Sequence, residues 1–487
     1  MSGSSSVTVP GSSGSIVTVA HGTGDILHLA QQIGALLKAS SLAGGLNVFT
    51  DSVSGSIPAP TLTGSQTASE LLLTGAGPFN SSIPGGYQYV VNTASTPSTL
   101  TGSNVEIVGG TVGSSYNVSG NSTIAATGGN NTVSASGTYL LSFGVGSNLI
   151  LANGSGTVAT DVGSSTIVAS NLTGPGNLID SNGSDYIVAA LGSNTVVATG
   201  NGTDIVGGAG PLTVTLSGSG GTIQGGNGVA SINASGSNND ILLGTNSSNV
   251  SISGTGDTVS AGSGPETITA SSSPIVFGGP SLLTFVGGAG TPTIVGGTGG
   301  TDKITGGAGG VVFSVGDANN GTVTGGTGHS TLFGGAGSEL TFNSSLGGAV
   351  LVGSGGSETL NAAGSSAGNF FSGGAIPGSG VDMIGGSGAD TMVGGIGNDT
   401  MTGNAGNNNF VFFADNTGGG KDVISDFNSN DSLFIVGYDS TKSAFSNSPS
   451  GALTLTLSDS TQITFSNLTS SSSLNGHMLY APSSSSN

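Results

Sequence analysis

The sequence predicts an all-β fold: a long parallel β-solenoid, with a small α+β region before it and a β-rich cap after it. Three observations carry that reading. Apolar residues return about every nine positions from Ile124 to Phe410. Glycine fills the spaces between them, at 94 of 487 residues. A helical apolar period occurs only near the N-terminus, in Asp25–Ala39.

The beat is that of very short strands. Ile187, Val196, Ile205, Val214, Ile223 and Ile232 follow one another at steps of nine. Downstream the series continues through Leu242, Ile252 and Val259 to Met383, Met392, Met401 and Phe410. Each apolar residue points inward and stacks on its equivalents. Thr commonly precedes it, as at Thr195, Thr213, Thr267 and Thr322, which suits an outward β position. Gly is expected in the turns, both for φ > 0 and for close backbone approach. No single repeat buries enough to fold alone, so the stack folds together. The competing reading, a Gly/Ser linker with incidental apolar residues, does not account for the regular steps.

Composition narrows the function. The chain has 24 acidic residues, four lysines and no arginine, for a net charge of −20. It offers no cationic footprint for nucleic acid, and divalent cations are its natural counter-charge. Mean hydropathy is +0.21, above the range of disordered chains. Cys is absent, so no disulfide or zinc-thiolate framework exists. No stretch of about 20 apolar residues is present to span a membrane as a helix. The opening MSGSSSVTVPGSSGS has no basic or apolar leader, so export without a cleaved N-terminal signal peptide is expected.

Residues 1–16 read as a flexible arm, with Ser6–Pro10 a candidate donated strand. Residues 17–100 read as a small α+β cap or assembly region. In Asp25–Ala39, apolar residues at 26, 29, 33, 36 and 37 share one helical face. Gly34 costs about 1 kcal/mol there relative to Ala. Val17–Ala20 and Asn47–Thr50 read as strands. His21 and His28 lie near the helix, and His329 and His477 are isolated; packing or surface roles are expected for them. Nothing resembles a Ser/His/Asp set, an HExxH or a phosphate loop, so no enzymatic activity is expected.

The beat is strongest at Gly385–Val411, which reads GGSGADTMV, GGIGNDTMT, GNAGNNNFV. This resembles the G-G-x-G-x-D-x-U-x calcium-binding repeat of secreted RTX proteins. The resemblance implies a β-roll with two nonamers per coil, hence about 16 coils over Ile124–Phe410 at ~4.8 Å each. It also implies Ca²⁺, held by turn carbonyls and carboxylates of stacked turns. The implied ligands are Gly385, Gly386, Gly388 and Asp390 in one turn and Gly394, Gly395, Gly397 and Asp399 in the next. Asp390 is expected to pair with Asn408, and Asp399 with Asp382. A closing Asp-x-Ile-x-Asp-Phe stretch implies a further calcium near Asp422, Asp426 and Asp431. Upstream, three spacings suggest weaker pairs: Asp185 with Asp204, Asp240 with Asp257, and Glu339 with Glu358.

The solenoid is therefore expected over 101–411, with acidic repeats at 377–411, and a β cap with a secretion signal over 412–487. The expected function is a secreted, calcium-binding structural protein that self-assembles outside a bacterial cell as a filament or surface layer. Calcium would drive folding of the C-terminal roll. The expected partners are further copies of itself and a cell-surface polysaccharide; no nucleic acid and no membrane insertion are expected. The alternatives are a monomeric adhesin or ice- or glycan-binding solenoid, and an export roll separated from a catalytic domain.

Overall fold

A computed structural model describes residues 6–11, 15–20, 25–52, 55–171, 174–298, 301–344, 346–354, 356–374, 379–414 and 420–481. The chain forms two compact units, Met1–Asn246 and Ser247–Asn487. Each is a parallel β-solenoid, and together they carry about 20 turns.

Within each unit the solenoid strands pair with the strands one coil away. Ile187, Ile205 and Ile223 stand in one inward rank, and Val196, Val214 and Ile232 in the facing one. Val276, Ile294, Phe313 and Leu332 do the same in the C-terminal unit. All are buried. The beat misplaces one inward residue. Leu242 is exposed, and its neighbour Ile241 faces the core in register with Ile223. Ile241 restores the step of nine from Ile232, and Val250 continues it. Ile252 is also inward, because Ser248–Ile252 is a five-residue strand with three buried positions.

Parallel stacking begins well before residue 101. Leu46–Asp51 pairs with Ala68–Leu73, which pairs with Tyr89–Asn92, then Glu106–Gly109 and Asn121–Ala126. Ala68–Leu73, Tyr89–Asn92 and Glu106–Gly109 carry adjacent apolar residues because both of their faces are covered. Leu71, Val90, Ile107 and Ile124 face the solenoid interior. Leu72, Val91, Val108 and Ala125 face outward, into a second core with helix α1.

Helix α1 spans Asp25–Leu42, three residues longer than its apolar period indicates. It buries Ala30, Ile33 and Leu37. The segment read as an arm is part of this cap: Ser6–Pro10 pairs antiparallel with Ile16–Ala20, and Val7, Val9 and Val19 pack on the same core. Gly34 earns its place here, since a Cβ would stand 2.6 Å from Val7 Cγ1. His21 lies outside the described residues.

The C-terminal cap is a three-stranded antiparallel sheet, Ala444–Asn447, Leu453–Thr456 and Gln462–Phe465. Its last strand continues the parallel stack on Lys421–Ile424. Phe410, Phe427 and Phe465 close the interior, with ring centroids 5.9 and 5.6 Å apart.

Candidate metal centre

The residue two places before each inward apolar residue ends a turn and starts a strand. In the N-terminal unit that position builds a ladder between coils. Ser98 Oγ accepts from Phe79 N at 3.4 Å, and Ser114 Oγ from Ser98 N at 3.2 Å. Asn131 Oδ1 accepts from Ser114 N at 2.9 Å, and Asn148 Oδ1 from Asn131 N at 3.1 Å. Ser165 Oγ accepts from Asn148 N at 3.3 Å, and Asp185 Oδ1 from Ser165 N at 2.6 Å. Each rung satisfies a buried backbone N–H that the turn would otherwise orphan.

The same ladder in the C-terminal unit is acidic. Asp390 Oδ1 accepts from Asn369 N at 2.7 Å. Asn408 Oδ1 accepts from Asp390 N at 3.0 Å, and Asp431 Oδ1 from Asn408 N at 3.0 Å. The facing ladder runs from Val381 N to Asp399 Oδ1 at 2.9 Å, then from Asp399 N to Asp422 Oδ1 at 2.9 Å. The second oxygens turn back on their own loops: Asp390 Oδ2 accepts from Gly386 N and Asp399 Oδ2 from Gly395 N, each at 2.8 Å.

Gly385, Gly386 and Gly388 thus wrap Asp390, and Gly394, Gly395 and Gly397 wrap Asp399. None of these six has positive φ, so the expected left-handed turn is not their reason for being glycine. Close approach is: a Cβ on Gly386 would meet Ser365 O at 1.9 Å, and one on Gly397 would meet Ser379 O at 2.2 Å.

The stacking of Asp390 on Asn408 is as the spacing predicts. The pairing of Asp399 with Asp382 is corrected. Asp382 is in register with Thr400 and exposed, while Asp422 occupies the place stacked on Asp399. The three upstream pairs fail by the same single step. Asp204 aligns with Tyr186, not with Asp185. Glu339 aligns with Thr359, not with Glu358. Asp240 opens its strand beside Thr222, whereas Asp257 precedes one. In each pair one acid is buried (Asp185, Asp257, Glu358) and the other exposed (Asp204, Asp240, Glu339). A one-residue offset sends the side chain to the opposite face.

Asp185 is already satisfied: its Oδ2 accepts from Thr160 Oγ1 at 2.6 Å and Ser181 Oγ at 2.7 Å. Two ladder acids escaped the spacing search, Glu266 and Asp302. Both are buried and both accept an N–H from their own turn, Gly262 and Gly297. The signal was present: each stands two residues before an inward Ile. Asp422, Asp426 and Asp431 are not gathered in one loop. Asp422 and Asp431 end the two ladders, and Asp426 accepts from Gly403 N and Asn404 N at 2.8 and 2.6 Å.

The electrostatics of this end call for a cation. Burial pushes the Asp390, Asp399 and Asp431 carboxyls up, against the lowering effect of their backbone donors. Asp422 is pushed up to about 8, by burial first and by the charge of Asp399. Its Oδ2 is buried and has no hydrogen-bond partner. No lysine offsets these acids; the ion pair among the described residues joins Lys442 and Asp439 on the surface. Buried carboxylates stacked on one another without a counter-charge suit a hard divalent ion. Asp399 and Asp422 would hold it. Among the described residues no three His, Cys, Asp or Glu side chains converge, so turn carbonyls must supply most of its six to eight oxygens.

The comparisons agree with the geometry. The RTX calcium-binding nonapeptide repeat (4 copies) matches residues 315–340 and 383–411. The second match contains Asp390, Asp399 and Asn408. These repeats indicate Ca²⁺ binding. No curated protein sequence matches the chain.

Proposed function

Taking the chain as an RTX-type repeat protein, we propose that it is a secreted structural protein that assembles with further copies of itself into an extracellular filament or surface layer. One observation carries this reading. From Leu46 onward nearly every described strand serves parallel stacking, and one side-chain ladder recurs in both units. The ladder is built of Ser and Asn from Ser98 to Ser165 and is richest in acids from Asp390 to Asp431, where the second calcium-repeat match lies. Calcium orders and locks the acidic end after export, and stacking alone holds the rest. A cell-surface polysaccharide is the further partner proposed. No helix among the described residues is long and apolar enough to cross a membrane.

Outward Thr pairs, such as Thr267 and Thr269 or Thr322 and Thr324, favour a second reading as a monomeric adhesin or ice- or glycan-binding rod. Lys303 and Asp382 interrupt that face. Calcium added to chelator-treated protein separates the two. Electron microscopy and light scattering are expected to show ordered filaments or sheets. A folded protein that stays monomeric with calcium would overturn assembly and support the second reading.

A further inference from the structure

The C-terminal unit presents two outward sheet faces of unlike chemistry. One carries Lys303, Glu339 and Asp382 at exposed positions. The other is built from strands Ile275–Phe277, Thr293–Val295, Val312–Ser314, Ser330–Phe333, Ala349–Val352, Phe370–Ser372 and Thr391–Val393, stacked in that order. Its two outward ranks contain no charged residue. Ile275, Phe277, Val295, Phe333, Val350 and Phe370 stand on it at 38–45 % exposure. The corresponding face of the N-terminal unit carries Asp204 and Asp240 in the same ranks. On this face the uncharged stretch lies in the C-terminal unit.

We propose that this face packs against the same face of a second copy of the chain, sheet on sheet. The inference rests on the self-assembly reading and assigns it a surface. Charge selects the occupant. Copies bearing −20 each repel wherever acids meet, and this surface lets like meet like without that penalty. A cationic or anionic partner would find nothing on it to pair with. A flat parallel sheet packs on another with its side chains interdigitated about 10 Å apart.

The chain has no cysteine, so a single introduced thiol reports one position. Thr331→Cys lies mid-face, in register with Val312 and Val350. Thr322→Cys lies on the other sheet and is the control. Maleimide labelling of the full chain, with calcium, is followed as protein concentration rises. Thr331→Cys is expected to become at least tenfold slower to label while Thr322→Cys does not. Adding Phe277→Ser, Phe333→Ser and Phe370→Ser should restore fast labelling without changing the circular dichroism, since these side chains point outward. Filaments that form while Thr331→Cys labels as fast as the control would overturn this face and leave the assembly reading standing. Protection in a discrete dimer that never extends would support the face and overturn the filament or layer. Protection of monomeric protein by added surface polysaccharide would overturn a second copy as the occupant.

Discussion

In chelator, raising the pH from 5 to 8 is expected to lower the melting temperature of the C-terminal unit, and Asp422→Asn is expected to remove part of that fall. The folded-state pKa of Asp422 is raised, to about 8, against about 3.9 in an unfolded chain. A carboxyl with a raised pKa contributes its full stability below the unfolded value and loses it as the pH climbs through the folded one. Asp390, Asp399 and Asp431 shift the same way, so their contributions carry the same sign. Asparagine keeps the Oδ1 acceptor for Asp399 N and removes the charge. The variant should therefore be the more stable protein at pH 8 in chelator. Calcium reverses the order. A site saturated at 100 times its Kd adds about 2.7 kcal/mol, and Asp422→Asn forfeits that at its own site. Circular dichroism melts of both proteins, in chelator and in calcium at pH 8, check the crossing. A variant as stable as wild type under both conditions would show that Asp422 is only a hydrogen-bonding rung.

Phe410→Ala is expected to destabilise the C-terminal unit by about 3–5 kcal/mol, as large-to-small changes in a packed core do. Phe410 is fully buried, stacks under Leu433 and over Met392, and meets Phe427. Phe412 of the same strand is buried too, so the core around the lost ring is close-packed and closes the cavity only in part. Thr402→Ala, on the outward side of the neighbouring coil, should change stability by no more than about 0.5 kcal/mol. Urea unfolding in saturating calcium compares the two. Equal effects would contradict the inward assignment of the repeat's apolar position.

The solenoid was legible because its inward rank is apolar and regular. Met383, Met392, Met401 and Phe410 could be read directly. Leu242 shows where that reading fails: in Asp-Ile-Leu-Leu three apolar residues adjoin, and periodicity alone does not choose among them. The first coils were hidden for a different reason. Helix α1 covers their outward side, so Glu70–Leu73 lost the alternation that marks a one-sided strand. Glu70 itself is fully buried there, with neither oxygen partnered, and is pushed up to about 8 by desolvation; nothing in its local sequence announces that.

The metal centre was half legible. Asp390 and Asp399 follow from the repeat, but coil-to-coil distance is a poor guide to partners. Coils vary from 16 residues at Ser98–Ser114 to 23 at Asp399–Asp422, because loops between strands differ in length. The invariant is local. Where the outer face of a strand meets solvent, an acid two residues before the inward position is buried on a ladder, and an acid one residue before it is exposed. That rule rejects Asp204, Asp240, Glu339 and Asp382, and it retrieves Glu266 and Asp302.

Amide hydrogen exchange with and without calcium tests most directly the claim that calcium locks the acidic end of a ladder that Ser and Asn build from Ser98 to Ser165. The amides of Val381, Asp390, Asp399 and Asn408 donate to ladder side chains in the C-terminal unit, as those of Ser114, Asn131 and Asn148 do in the N-terminal one. Calcium is expected to slow exchange strongly in the first set and to leave the second unchanged. Equal protection of both sets, or no change at Asp399 and Asn408, would contradict it.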